Sequence, residues 1–446
     1  MPIGALNSSL TRKGYLSDEM AEIWGERETI ARVVEVESAL AAVQGELGII
    51  PARFAAIIVE YAYMTDELVA KISAGKVGNP LVAALDAIRA QIPEEARGFV
   101  HYGATSQDIL DTARARQILM GMGVLDEKLK ELIGRLRQFA GEHAQTLMVA
   151  RTNGQYALPT TLGMRFARWL RELQRAQARL AQTVERAAMI QFSGAAGTYA
   201  ATGEQGVRVA QALAQRLGLT FEIVPWHASR DGITELCCNL AILGQSLAKI
   251  AEDLFAMQQS DMGEAHEQMD AHSSGSSAMP QKLNPFTTMK VSVNARLAAG
   301  LAATVLTAPP GTFERDHRQL EVERDALGQI FTHIDGALTK LLGLFSRLSF
   351  DVEKLRDGVK NGGELLMSES VMMVLAPRIG HEAAHDLIQE FAKAQRSEGI
   401  SLAEYIGQRT DLALSDSAVA DLQEALDPRS YLGLSVDIAR GVAAGE

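Results

Sequence analysis

The residues Gly275-Ser276-Ser277-Ala278-Met279-Pro280-Gln281-Lys282-Leu283-Asn284-Pro285 gather hydroxyls, a lysine and an asparagine into one short stretch. Gly275 and its serines read as a polar loop, and Pro285 suits the first turn of a following helix. Such a loop, ending on a helix N-terminus and carrying Lys282, is suited to hold a carboxylate. The unpaired N–H groups and the helix dipole both favour an anion there. A second stretch, His101-Tyr102-Gly103-Ala104-Thr105-Ser106-Gln107-Asp108, places two hydroxyls where a helix begins, which is a capping pattern. Arg315 and Arg318 add cations of the kind that grip carboxylates in bidentate fashion.

The elements that must position these groups read as helices. Apolar residues recur at 3.5-residue spacing in three long runs. These are Leu125, Leu129, Leu132, Leu136 and Phe139, then Leu162, Phe166, Trp169, Leu173, Ala176, Leu180 and Val184. The third is Leu236, Leu240, Leu243, Leu247, Ile250, Leu254 and Met257. That period means helices packed nearly parallel in a bundle. The class expected is therefore all-α, in three helical domains. Residues 1–111 form an N-terminal domain of shorter helices, one of them over residues 18–47. Residues 112–358 hold the long bundle and the serine loop, and residues 359–446 a small C-terminal domain broken near Pro377, Gly399 and Pro428. Helices this long expose apolar stripe unless copies pair, so an oligomer is expected.

The 446 residues carry a net charge of −12, which argues against nucleic acid or an anionic membrane as partner. No run approaches the roughly 18 apolar residues of a membrane span, and Met1 to Leu10 lacks a signal-peptide pattern. Cys237 and Cys238, adjacent in an apolar run, have no metal-ligand spacing and read as buried thiols of a cytoplasmic protein.

The serine segment resembles the signature of the fumarase/aspartase superfamily, GSSxMPxKxNP, at every fixed position. The resemblance implies a homotetramer with active sites shared among three subunits, a small polycarboxylate substrate, and neither metal nor cofactor. It implies that Ser276 is the general base, with Gly275, Ser277, Met279, Lys282 and Asn284 around the carboxylate and the aci-carboxylate intermediate. A serine near its usual pKa is a poor base, so the loop N–H groups and Lys282 must hold its oxyanion. Thr105, Ser106 and Gln107 match the second carboxylate-binding loop in its cycloisomerase form.

On the leaving-group side stand Thr152, Asn153, Gln155, His227, Arg230, Arg315 and Arg318. The family usually has a histidine where Asn153 stands, and asparagine donates no proton at neutral pH. Gly14-Tyr15 replaces an expected Arg-Tyr pair, and Glu323-Arg324 reads as an intrahelical ion pair. The chain is thus a mosaic of two branches. The function expected is β-elimination of an amine from an N-substituted aspartate to give fumarate. The alternative is 3-carboxy-cis,cis-muconate cycloisomerase, ahead of adenylosuccinate lyase.

Overall fold

The computed structural model describes residues 6, 8, 11–74, 80–268, 278, 279, 281–409, 412 and 415–446. Gly275, Ser276 and Ser277 lie outside the described residues. Those described form eighteen α-helices and two short antiparallel strand pairs, in keeping with the all-α class. Packing groups the chain into two units, each assembled from three segments. One unit is Met1–Glu131, Leu173–Glu252 and Phe286–Gly343; the other is Leu132–Glu172, Asp253–Pro285 and Leu344–Glu446. The sequence breaks, by contrast, mark off three consecutive blocks.

The three apolar stripes fall on the helices Ser106–Glu142, Leu162–Ala187 and Asp231–Met257. Leu125, Leu132, Leu136, Phe166, Trp169, Leu173, Leu240 and Leu247 are all buried. Each such side chain contributes about 1.5–3 kcal/mol on burial. Where the backbone must come close, the sequence supplies glycine. A Cβ on Gly121 would stand 2.9 Å from the Phe331 ring, which is itself fully buried on the helix His317–Phe345.

Residues 18–47 form two helices where one was expected, Asp18–Ile23 and Glu26–Glu46. Gly25 turns the chain between them with extended backbone (φ −73, ψ 161), and a Cβ there would lie 3.1 Å from the carbonyl oxygens of Ala21 and Glu22. The chain breaks near Pro377, which sits in the last turn of Ser368–Ile379, and Gly380 (φ +88) ends that helix. Cys237 is buried as expected but Cys238 is partly exposed, and both are free thiols.

The helix Phe286–Leu306 begins directly after Pro285, as the sequence predicts. It exposes Phe286, Met289, Val293 and Leu297 along one face, and Ile242 on Asp231–Met257 is exposed as well. No helix among the described residues is long and apolar enough to cross a membrane.

His333 is buried on His317–Phe345, with Nδ1 2.8 Å from Asn294 Oδ1. Burial lowers its pKa from 6.5 to about 4. The folded state therefore holds His333 neutral at pH values where the unfolded chain takes up a proton. That contribution is complete above pH 6.5 and is lost as the pH falls toward 4, up to about 3 kcal/mol for a shift of this size. In urea melts across this window, His333→Gln should flatten the decline in stability. An unchanged slope would show that other groups cause it.

Candidate active site

In the first unit a buried carboxylate organises the candidate site. Asp108, in the first turn of Ser106–Glu142, is fully buried and accepts from four donors. Its Oδ2 accepts the backbone N–H of Thr105 and of Gly194, each at 3.0 Å. Its Oδ1 accepts the N–H of Ser193 at 3.3 Å and faces His227 Nε2 at 2.8 Å. Three loops distant in sequence are thereby fixed at one helix N-terminus. Glycines allow the approach: Gly194 and Gly197 take φ of +80 and +70, and a Cβ on Gly197 would lie 2.7 Å from the Pro225 ring.

Upon this base lie the expected carboxylate-binding residues. Arg315 donates from Nη1 to Thr105 Oγ1 at 2.7 Å, from Nη2 to Ser106 Oγ at 3.1 Å and from Nε to Gln107 Oε1 at 3.0 Å. Gln107 in turn donates to Asp111 Oδ2 at 3.0 Å and to the carbonyl of His227 at 2.9 Å. The arrangement departs from the capping expectation in one respect. The cap at this helix is Asp108 accepting from Thr105 N–H, so neither hydroxyl is spent on it. A hydroxyl that accepts from Arg315 keeps its own proton to donate.

Arg315 makes no ion pair with a carboxylate among the described residues; its partners are neutral oxygens. It stands, moreover, at the positive end of a 37-residue helix. An uncompensated guanidinium, two hydroxyls and a helix N-terminus make an anion site. Arg315, expected on the leaving-group side, rests in the structure against the Thr105 and Ser106 hydroxyls.

The other cations have different fates. Arg230 is buried between Asp111 (Nη1 to Oδ2, 2.7 Å) and Glu323 (Nε to Oε1 and Oε2, 3.1 Å each), and lies over the Trp226 ring at 4.8 Å. Burial works against its charge, but the two carboxylates more than offset this and keep it protonated. Burial likewise opposes ionisation of Asp111, and Arg230 with Arg114 prevails, lowering its pKa. Arg318 is exposed and pairs with Asp316 at 2.5 Å. The expected Glu323-Arg324 pair is not formed: Glu323 turns inward to Arg230, and Arg324 takes Glu321 instead.

His227 is buried against Asp108, which orders its loop. Beside Gly14, where the resemblance leads one to expect arginine, the Lys290 side chain fills the space. Its Nζ lies 3.2 Å from Tyr15 Oη and 4.3 Å from the Tyr15 ring centre.

The second unit carries the remaining expected residues. Leu147–Thr152 and Gln155–Thr161 form an antiparallel hairpin in which Thr152 pairs with Gln155. Asn153 (φ +52) and Gly154 (φ +78) are its two-residue turn, and all four are exposed. Asn-Gly is the pair such a turn favours, because both positions need positive φ. Arg151 of the same hairpin pairs with buried Glu264 at 2.5 Å. Met279 and Lys282 are exposed, Asn284 is half-buried, and the Lys282 N–H donates to the Met279 carbonyl at 3.0 Å. Among the described residues no cluster of His, Cys, Asp or Glu is arranged to hold a metal.

Comparison with known proteins decides the family. Residues 12–298 match the lyase family profile, and residues 364–442 match that of the adenylosuccinate lyase C-terminus. The chain belongs to the fumarase/aspartase lyase superfamily. This lyase is 34% identical to 3-carboxy-cis,cis-muconate cycloisomerase of Pseudomonas aeruginosa, over 94% of its own length and 92% of that protein's. It is 32% identical to adenylosuccinate lyase of Methanocaldococcus jannaschii, over 95% and 93%. The solved structure of a fumarate lyase from Mesorhizobium sp. BNC1 superposes with a TM-score of 0.87 at 31% identity, covering 97% of this lyase and 98% of that chain.

The sequence reading missed Asp108, Asp111 and Glu323, the acids that hold the site together. A signal for Asp108 was present, since an acid three residues after a cap position is a capping-box spacing. In the lyase, Asp108→Asn would put an amide NH₂ against backbone N–H donors. We expect a loss of about 1–3 kcal/mol in stability for the mispaired groups. Activity should fall by about 10²-fold as the Thr105 and Ser193 loops shift. Wild-type turnover by a folded Asp108→Asn protein would show that the hub does not position the site.

Proposed function

We propose that this lyase catalyses reversible addition and elimination of a carboxylate at a carbon–carbon double bond in a polycarboxylate, the reaction type of 3-carboxy-cis,cis-muconate cycloisomerase. The observation that carries the reading is Arg315, a guanidinium with no carboxylate of its own, resting on Thr105, Ser106 and Gln107. In this reading Ser276, held as an oxyanion, removes the proton beside one carboxylate of a lactone. The electron pair forms the double bond, the ring C–O bond breaks, and a carboxylate departs. In reverse, that carboxylate adds to the alkene and the carbanion takes the proton from the Ser276 hydroxyl. Lys282 and Asn284 stabilise the aci-carboxylate and Arg315 anchors a second carboxylate.

The leaving group supports this choice. A carboxylate leaves as a stable anion and needs no protonation, so a turn asparagine at 153 in place of an acid is no obstacle. The cycloisomerase relatives support it as well. The second reading is elimination of an amine to give fumarate, favoured by the adenylosuccinate lyase relatives and the C-terminal match. An amine departing as ammonium also needs no donor at Asn153. In both readings the exposed face of Phe286–Leu306 is covered by other copies in a homotetramer, which would bring three subunits to each site.

Two assays separate the readings. Incubation with 3-carboxy-cis,cis-muconate should consume its conjugated ultraviolet absorbance. Fumarate released from N-substituted aspartates, with muconate untouched, would sink the cycloisomerase proposal. On the accepted substrate, Ser276→Ala should lower kcat by about 10³-fold or more, and an unchanged kcat would remove Ser276 as the base. Arg315→Gln should act mainly on KM, raising it about tenfold to a hundredfold through the lost charge-assisted contact. An effect confined to kcat would contradict its anchoring role.

A further inference from the structure

A cavity elsewhere in the first unit has a cation that the chemistry above does not use. It has a volume of about 580 Å³ and is walled by Trp24, Ile30, Val33, Ala84 and Leu110, with Arg114 and the acids Glu26, Glu323 and Asp325 also in its lining. Thr105, Ser106, Gln107 and Arg315 take no part in it. A volume of this size accommodates a small organic ligand.

Arg114 differs from every other arginine described above. It donates no hydrogen bond among the described residues, and its Nη1 is buried without a partner. The carboxylates nearest in charge are already taken. Asp111 is held by Gln107 and Arg230, and Glu323 by Arg230. They act on Arg114 only through space, while burial, the larger influence, pulls its pKa down. Arg12 and Arg324 also line the cavity, but they pair with Asp18 and Glu321. The Gln117 amide is committed to the Ile23 carbonyl at 2.8 Å and Thr29 Oγ1 at 3.0 Å. Arg114 thus lines the cavity with no acceptor bonded to it, and an anion brought in from outside would meet a cation that no carboxylate holds directly.

We propose that this cavity is a second ligand site, which takes a small organic carboxylate by its anionic end at Arg114 and packs the apolar body against Trp24, Ile30 and Leu110. The planar fork of the guanidinium matches a carboxylate with two parallel N–H···O bonds. The apolar walls disfavour a strongly hydrated inorganic ion. The cavity shares the Glu323 wall with the site described above, but none of the residues proposed to touch the reacting substrate lines it.

Titration calorimetry of the full chain with 2-naphthoate tests it. Saturable binding of one ligand per subunit is expected, undisturbed by excess fumarate, with 2-naphthalenemethanol at least tenfold weaker. Arg114→Met should weaken 2-naphthoate at least tenfold by removing the charged donor. Should that variant fail to fold, Ala84→Leu decides, because it fills the cavity from a wall and leaves Arg114 in place; the same tenfold loss is expected. No binding to the wild type at about 1 mM ligand overturns the proposal. So does displacement by fumarate, equal binding of the neutral alcohol, or wild-type affinity in folded Ala84→Leu.

Discussion

The candidate site depends on one buried charge. Asp108 draws three backbone N–H groups and a histidine onto a single carboxylate, and these come from residues 105, 193, 194 and 227. An unpaired carboxylate in that position would be prohibitive. Every donor is therefore obligatory, and the loops that supply them lose their freedom together. The helix N-terminus adds its own favourable field to the same anion. Precision at Thr105 and Ser106 is thus a by-product of keeping Asp108 satisfied.

That arrangement also decides which cation is left to act. Asp108 is filled by amides and His227, while Asp111 and Glu323 are filled by Arg230 and Gln107. Arg315 consequently meets only oxygens that are neutral. In a chain of net charge −12, a locally unspent positive charge arises where Asp108, Asp111, Asp316 and Glu323 are all held by other partners. The difference among Arg230, Arg315 and Arg318 is one of partners and exposure, since the guanidinium is the same in each.

This is why some of the structure was legible in the sequence and some was not. The stripes of Leu125 to Phe139 and Leu236 to Met257 repeat over several turns, so each residue confirms its neighbours and the helices could be read directly. The break at Gly25 rests on one glycine within a continuing apolar pattern, and that pattern masks it. The roles of the arginines rest on contacts 93 to 210 residues away in sequence, which spacing cannot supply. Arg230 and Glu323 looked unrelated for that reason. The Asn153-Gly154 hairpin was within reach, since Asn-Gly between two extended runs is a turn signal. The histidine that the family usually carries at this position draws attention away from that backbone signal.

Asn153 then bears differently on function. At φ +52 in a two-residue turn, asparagine has a backbone reason to be present, whatever chemistry occurs nearby. Its identity is therefore weak evidence for a contact with substrate and stronger evidence about what the reaction can do without. A departing alkoxide or neutral amide would need a proton at that moment; a carboxylate would not, and an ammonium already carries one. In the proposed reaction, the leaving groups that suit a turn asparagine are those stable in water near neutral pH. Between the two that qualify, the choice falls to what the anchored end of the substrate must offer, and Arg315 calls for a carboxylate beyond the one that Lys282 and Asn284 are proposed to hold. Both a tricarboxylate lactone and an N-substituted aspartate meet that demand with carboxylates on adjacent carbons or nearly so. What distinguishes them is the third group, which departs as a carboxylate from the lactone and as an ammonium from the aspartate, and neither departure calls for an acid at Asn153.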